Sequence, residues 1–245
     1  MTFLKDGFRF IVFSNYWISF AAAAYAYLTV VQFNLNVPTS FYWFVFSATL
    51  CSYCLQRYVQ LPGRKEQHSE RQDFLVGNRL YLGLTVVGAG IATLTLGYTF
   101  LTLEQMLWII PIGLVSLFYS IKVFGKNGGI RDLPGVKIIM IAISWTFLCG
   151  FLPVWVSGFD KVNLTQLSLQ LSEKTLFIFA ITIPFDIRDL KYDDPSKKTI
   201  PQLLGVKKSV GLSILLLTVA LACGMLGSRD ILLTLGLIGS YIITL

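Results

Sequence analysis

The chain has 245 residues, of which 55% are hydrophobic and only 13% are charged, and its mean hydropathy is +0.68. A soluble domain of this size carries about 25% charged residues. The composition therefore excludes an ordinary soluble protein and indicates an integral membrane protein. His68 is the only histidine, which excludes a metal site built from several histidines of this chain.

Eight apolar stretches are candidates for membrane-spanning helices, because a helix needs about 20 apolar residues to cross a bilayer. They occupy residues 9–32, 40–56, 80–100, 105–124, 135–157, 173–187, 207–226 and 229–245. This pattern predicts an all-α fold, a polytopic transmembrane helical bundle in which residues 1–245 form a single domain. The last stretch is still apolar at Leu245, so nine spans are expected if the chain continues beyond it.

The first stretch contains Ser14, Asn15 and Ser19, polar residues that in lipid must face other helices or a cavity. Lys5 and Arg9 precede it as in a signal peptide. Its apolar character nevertheless extends beyond the length of a signal sequence. We therefore expect an uncleaved span with a polar inner side.

The distribution of Lys and Arg predicts the orientation, because cytoplasmic loops carry the excess of these residues. With the N-terminus inside, 17 of the 20 fall on the inner side, and only Lys161, Lys174 and Arg229 fall in outer connections. The net charge of +7 is thus attributed to topology and anionic lipid rather than nucleic acid. We expect the N-terminus on the cytoplasmic side of the plasma (inner) membrane of a prokaryote.

The second and third spans contain small residues suited to close helix packing. Cys51 and Cys54 form a C-x-x-C pair inside an apolar span, where packed thiols are the expected state. Four glycines of the third span predict close approach of a neighbouring backbone: Gly83, Gly88, Gly90 and Gly97.

Two long connections are predicted as loops. About 20 residues from Leu61 onward have mixed charges and no periodicity, which indicates a mobile segment on the inner side. Residues 157–172 are predicted as an outer loop. Asn163 and Thr165 in this loop form a glycosylation sequon, which has meaning only in a eukaryotic secretory setting.

An acidic segment follows the sixth span, where four of the 13 acids lie within nine residues. In a continuous helix Asp186, Asp189 and Asp193 lie within roughly 60° of one another, and Arg188 points away. Three carboxylates on one face suit Mg²⁺, which prefers oxygen ligands. A solvated connection between spans has the same composition, and spacing alone favours that interpretation. Pro184 predicts a kinked or unwound helix end just before the acids.

The order of several motifs resembles that of the UbiA superfamily of intramembrane prenyltransferases. The similar segments are Tyr119-Ser120-x-Lys122, Lys137 to Trp145, Asp-Ile-Arg-Asp at 186–189, Asp193, Lys198-Thr199 and Leu203-Leu204-Gly205. The 186–189 segment and the residues after it resemble the family's second aspartate motif and its following loop. The resemblance is best over residues 115–210.

The resemblance implies a UbiA-like bundle of about nine spans, in which Mg²⁺ and aspartates hold a prenyl diphosphate. Loss of diphosphate leaves an allylic cation, which a small aromatic acceptor captures. By this similarity Asp186, Asp189 and Asp193 are the catalytic and magnesium-binding residues. The expected substrate-binding residues are Lys122 and Lys137 on phosphate, with Tyr119 and Trp145 among the pocket aromatics.

The family's first aspartate motif is absent. Residues 52–61, where it should lie, read Ser-Tyr-Cys-Leu-Gln-Arg-Tyr-Val-Gln-Leu and contain no acid. We infer that Arg57, together with Gln56, contacts the diphosphate directly and replaces a metal with a bidentate cation. The alternative is that Arg57 is a further positive-inside anchor.

Three functions are compatible with these features. The first is an enzyme that transfers a polyprenyl group from its diphosphate to an aromatic or similar small acceptor. The second is a non-catalytic UbiA-like membrane protein that binds a prenyl lipid or a partner enzyme, for which the missing motif is the main indication. A transporter is suggested only by a broken helix beside charges, and no internal repeat supports it. The retained Asp cluster favours the enzyme.

We expect Arg57→Ala to weaken prenyl diphosphate binding far more than Arg64→Ala, because only Arg57 lies where the family's missing motif should be. Binding of a prenyl diphosphate to the two purified variants measures the difference. Equal losses would remove the proposed role of Arg57.

Overall fold

The computed structural model describes residues 2–61, 70–118, 135–160, 162–191 and 198–227, together with 235–236, 238–239 and 242. Every regular element in these segments is helical, which confirms the all-α class. The helices are α1 (Thr2–Phe13), α2 (Tyr16–Phe33), α3 (Thr39–Gln60), α4 (Glu70–Gly77), α5 (Arg79–Tyr98), α6 (Leu103–Phe118), α7 (Val136–Thr146), α8 (Leu152–Ser157), α9 (Leu164–Asp189), α10 (Ile200–Leu204) and α11 (Val206–Gly227). A π-helical segment, Phe147–Phe151, joins α7 to α8.

Three helices of the described part are long and apolar enough to cross a membrane: Arg79–Tyr98, Val136–Ser157 and Val206–Gly227. Their ends agree within two residues with three of the stretches expected from the sequence. The first expected span is instead divided into two helices, α1 and α2, whose axes differ in direction by 67°. The two helices form a fourth candidate span only if they are counted together. The total of eight spans stays a prediction.

The chain divides into two compact units. The first contains Met1–Tyr27 and Val37–Ile121, and the second contains Leu28–Asn36 and Lys122–Leu245. The first unit therefore holds α1, most of α2 and α3 to α6, while the second holds the end of α2 and α7 to α11.

In the first unit, α3 and α5 pack antiparallel along a stripe of glycines. A Cβ atom on Gly83 would lie 3.5 Å from Tyr58, and one on Gly90 would lie 3.6 Å from the thiol of Cys51. These residues recur every seven positions, so the two backbones approach closely over several turns. The expected role of these glycines is confirmed, whereas Gly88 faces open space.

The polar connection after α3 is partly helical, which corrects the expectation of an aperiodic mobile loop. Helix α4 spans Glu70–Gly77, and Leu75 is buried among Leu50, Cys54 and Leu82. Phe74 packs against the same cluster, and these tertiary contacts order a segment of low apolar periodicity, because packing rather than propensity stabilises short helices.

In the second unit, α9 packs against both α7 and α11. It begins at Leu164, nine residues before the expected start, so the expected outer loop of 157–172 is wrong in its second half. The side chain of Asn163 caps the helix by accepting hydrogen bonds from the backbone N–H groups of Thr165 and Gln166, at 2.9 and 3.3 Å. The residue of the sequon thus has a structural role as an N-cap.

Helix α9 continues through Pro184 to Asp189 without interruption, so of the two expected alternatives the unwound end is wrong. Proline has no N–H, so it cannot bond to the carbonyl of the residue four positions earlier, which is Ala180. The hydroxyl of Ser213 on α11 donates to this carbonyl at 2.9 Å. Because the freed acceptor is satisfied by a neighbouring helix, the helix has no need to open at this point.

The same arrangement occurs at Pro153, which follows the π-helical segment. The carbonyl four residues earlier belongs to Cys149, and it accepts a hydrogen bond from the hydroxyl of Thr29 at 2.7 Å. Both residues are buried. The chain stays helical from Val136 to Ser157 and contains one π-helical turn.

We expect Gly97→Leu to lower the free energy of unfolding by about 1–3 kcal/mol, the usual cost of overpacking. A Cβ atom at Gly97 already lies 3.1 Å from Phe44. Thermal denaturation in detergent measures the effect. Gly88→Leu on the same helix is the matched control, and an equal loss in both variants would contradict packing through the stripe.

We expect Ser213→Ala to cost about 1 kcal/mol in the wild-type chain, because it leaves the carbonyl of Ala180 without a donor. In a Pro184→Ala background the restored N–H can bond to that carbonyl, so the loss should largely disappear. Unfolding in mixed micelles of SDS and a mild detergent measures this double-mutant cycle. Ser209→Ala is the control, since its hydroxyl donates within its own turn to Gly205. Its cost should be the same in both backgrounds, and an unchanged Ser213→Ala cost would refute the explanation.

Candidate functional site

The beginning of α7 and the end of α9 carry an ion pair in the second unit. The Nζ of Lys137 lies 2.5 Å from the Oδ1 of Asp186. The Asp186 side chain is 2% exposed and that of Lys137 is 25% exposed. The carboxylate is therefore held inside the unit, while the lysine side chain is partly exposed.

Both members of this pair oppose the local helix electrostatics. Lys137 is the second residue of α7, and Asp186 lies in the last turn of α9. Helix N-termini favour negative charge and C-termini favour positive charge. Gly135, at φ 72°, precedes α7 and supplies no side-chain cap. The backbone N–H groups at the start of α7 thus have no side-chain cap, and a lysine lies beside them. Both features favour an anion.

Asp189 has a different environment from Asp186. Arg188 donates from Nε to Oδ1 of Asp189 at 2.8 Å and from Nη2 to Oδ2 at 3.2 Å, and its guanidinium lies 5.2 Å from the ring centre of Phe185. The hydrogen bond with Asp189 raises the pKa of Arg188 above its ordinary value. Arg188 was expected to point away from the acids, but its long side chain reaches back to the neighbouring carboxylate.

The remaining residues expected at the site fall into three groups. Asp193, Tyr119 and Lys122 lie outside the described residues. Trp145 is half-buried on α7, two turns or about 12 Å beyond Lys137 along the helix axis. Gln56 and Arg57 belong to the first unit, whereas Lys137 and Asp186 are in contact within the second.

Gln56 and Arg57 lie near the end of α3. The Nε2 of Gln56 donates to Ser52 at 3.4 Å, one turn earlier in the same helix. Arg57 is half-buried in the last turn, where its charge is favourable to the helix dipole. Both the anchoring and the diphosphate-binding interpretations are compatible with this position.

The described residues do not by themselves fit a magnesium centre. Among them no group of three or more His, Cys, Asp or Glu side chains is placed to hold a metal ion. One oxygen of Asp186 is occupied by Lys137, and both oxygens of Asp189 are bonded to Arg188. The expected site with Asp186, Asp189 and Asp193 therefore stays a prediction that depends on Asp193, outside the described residues.

A buried polar cluster in the second unit was missed by the sequence analysis. Gln170 donates from Nε2 to Gln32 at 2.7 Å and to Thr29 at 3.3 Å, and its Oε1 is buried without a hydrogen-bond partner. Glu173 and Lys174, three and four residues further along α9, are 5% and 2% exposed. Lys174 had been assigned to an outer connection, which is wrong, because it lies within the helix.

A signal for this cluster was present in the sequence. The spacing of Gln170, Glu173 and Lys174 places all three on one side of a helix. The signal was lost because the helix was expected to begin only at residue 173. The close fit of Lys174 against the π-helical segment also depends on Gly150, where a Cβ atom would lie 3.1 Å from the lysine Cδ.

Comparison with protein-family models, with curated proteins and with solved structures finds no match to this chain.

Proposed function

We propose that this protein is a UbiA-like membrane prenyltransferase, which transfers a polyprenyl group from a prenyl diphosphate to an aromatic or similar small acceptor. The observation that carries the proposal is the partly exposed Lys137 at the start of α7, held by the buried carboxylate of Asp186. An ammonium group beside helix N–H groups is suited to a diphosphate.

The finer topology belongs to the same proposal. Eight spans would place the acidic segment and the N-terminus on the cytoplasmic side of the inner membrane of a prokaryote. In support, the expected inner segments contain 17 of the 20 Lys and Arg residues, and three described helices meet the requirements for crossing a membrane. Burial of Lys174 removes one of the three exceptions from the outer connections.

In the proposed reaction the C–O bond to the diphosphate breaks, and the leaving group takes the electron pair. Lys137 and the first N–H groups of α7 stabilise the negative charge that develops there. Asp186 keeps the ammonium oriented towards the ligand. The allylic cation bonds to a carbon of the acceptor, which then loses a proton. Mg²⁺ would supply further charge stabilisation, with Asp186, Asp189 and Asp193 as the proposed ligands.

The alternative is a non-catalytic relative that binds a prenyl lipid or a partner enzyme. The absence of an acid in residues 52–61 favours it. The transporter hypothesis loses its only support, because α9 is unbroken beside the charges.

We expect a prenyl diphosphate to raise the melting temperature of the purified protein in nanodiscs. A ligand at about 100 times its Kd stabilises the folded state by about 2.7 kcal/mol. Geranylgeranyl diphosphate is the probe, tested with Mg²⁺ and with EDTA, and inorganic pyrophosphate tests the headgroup alone. Lys137→Met should abolish the shift, whereas Arg188→Gln should retain it.

A charge-swapped variant, Lys137→Asp with Asp186→Lys, separates binding from folding. It keeps an ion pair and reverses both charges relative to the helix dipoles, so the fold should be preserved while diphosphate binding is lost. The neutral pair Lys137→Gln with Asp186→Asn serves the same purpose if the swap fails to fold. An unchanged ligand shift in these variants would refute the site.

Product formation decides between the two functions. Labelled geranylgeranyl diphosphate incubated with a panel of phenolic acceptors should give a prenylated product with the wild type. Binding without any product would favour the non-catalytic alternative.

A further inference from the structure

Helix α1 is set apart from the span that follows it. Its axis is bent by 67° from that of α2, which begins at Tyr16. Helix α2 has 18 residues and is therefore about 27 Å long. The hydrocarbon core of a bilayer is about 30 Å thick, so α2 alone covers most of this thickness, and α1 need not continue in the same direction.

The bend is built into the packing of the first unit. Asn15 adopts a left-handed conformation at φ 68°, which commonly ends a helix. Ser14 and Asn15 are both 1% exposed. The Nδ2 of Asn15 donates to the thiol of Cys54 on α3 at 3.5 Å, and this thiol donates to the carbonyl of Ser14 at 3.6 Å. A break held by buried partners fixes the direction in which α1 leaves the span.

One side of α1 packs on the protein. Phe10 lies 5.9 Å from Phe74 and 5.4 Å from Tyr81, measured between ring centres, and Phe13 lies 5.7 Å from Phe74. These contacts join α1 to α4 and α5. Phe10 and Phe13 are separated by about 60° around the helix, so they define a single contact side.

A second side of α1 is apolar and exposed. Phe8 and Ile11 are 59% and 41% exposed and lie about 100–160° around the helix from Phe10. Phe8 makes an edge-on contact with Trp17, which is 60% exposed at the start of α2. The exposed surface of α1 is thus continuous with the exposed apolar side of the candidate span.

The remaining side of α1 carries a positive charge. Arg9 is exposed and lies about 100° from both Phe8 and Phe10. A helix with an apolar side, a cationic side and a neighbouring tryptophan matches the chemistry of the boundary between headgroups and acyl chains.

We propose that α1 lies in the plane of the membrane, with Phe8 and Ile11 inserted at the boundary of the acyl chains and Arg9 directed to anionic headgroups. We assign the exposed apolar side of α1 to contact with the bilayer, because that side continues directly into the exposed apolar surface of α2. The positive charge of the adjacent side complements anionic lipid.

The test measures the depth of nitroxide labels on the full chain in nanodiscs of phosphatidylcholine and phosphatidylglycerol. Labels are attached to p-acetylphenylalanine at position 8 or 11, so that the native cysteines stay in place. Position 20 on the exposed side of α2 serves as the acyl-chain reference, and position 160 serves as the water reference. Accessibility to oxygen and to a water-soluble nickel complex gives each depth.

Labels at 8 and 11 should have the same depth, between those of the two references. An upright helix would separate them by about 4.5 Å along the membrane normal, and this outcome would overturn the proposal. Nickel accessibility equal to that of position 160 would also overturn it, since α1 would then lie in water or beneath another protein.

Lipid charge gives a second readout. Replacing phosphatidylglycerol with phosphatidylcholine should raise nickel accessibility at position 8, and Arg9→Gln should remove this dependence. Arg79→Gln is the matched control, because Arg79 is exposed and stacks on Tyr58 in the same unit. Loss of the dependence in both variants, or in neither, would contradict the role of Arg9.

Discussion

The hydrogen bond from Ser213 to the carbonyl of Ala180 stabilises the helical turn of α9 that leads to the candidate site. Without it, the carbonyl freed by Pro184 would be unsatisfied in a low-dielectric interior, which costs about 1–3 kcal/mol. An opened turn at Pro184 would remove the fixed helical direction of every residue after it. Because the helix remains closed, Asp186 keeps the direction that brings its carboxylate to Lys137.

The contact between Thr29 and Cys149 extends this principle to a second pair of helices. Lipid tails are as apolar as leucine, so the hydrophobic effect does little to join helices inside a membrane. A proline frees one carbonyl, and that carbonyl becomes a directional attachment point for a hydroxyl on another helix. Pro153 and Pro184 therefore join segments of the second unit at defined positions. Gln170 extends the first of these contacts to Gln32.

The length of an apolar run predicted the helices that are apolar from end to end. It failed for helical segments whose position depends on tertiary contacts. The ends of α5 and α11 and the role of Gly90 followed from the sequence because they depend on apolar runs and residue size. Helix α4 and the first turns of α9 did not, because Leu75 and Leu167 are held by tertiary contacts that the apolar pattern does not show. The sequence analysis singled out both Lys137 and Asp186. Their contact could not be predicted, because it depends on how α7 and α9 are positioned along one another.

The direction of the charges in that pair is the strongest reason to connect it with an anion. A salt bridge that only joined α7 to α9 would be better with aspartate at the start of α7 and lysine at the end of α9. Both charges would then be favourable to their helix dipoles, each worth roughly 0.3–1 kcal/mol. The observed order forgoes that stabilisation and leaves the ammonium group as the exposed member. Sequences that break a local rule without structural benefit do so most often at functional sites. A negatively charged ligand at the start of α7 would add a second partner for the lysine and a first side-chain-independent partner for the N–H groups.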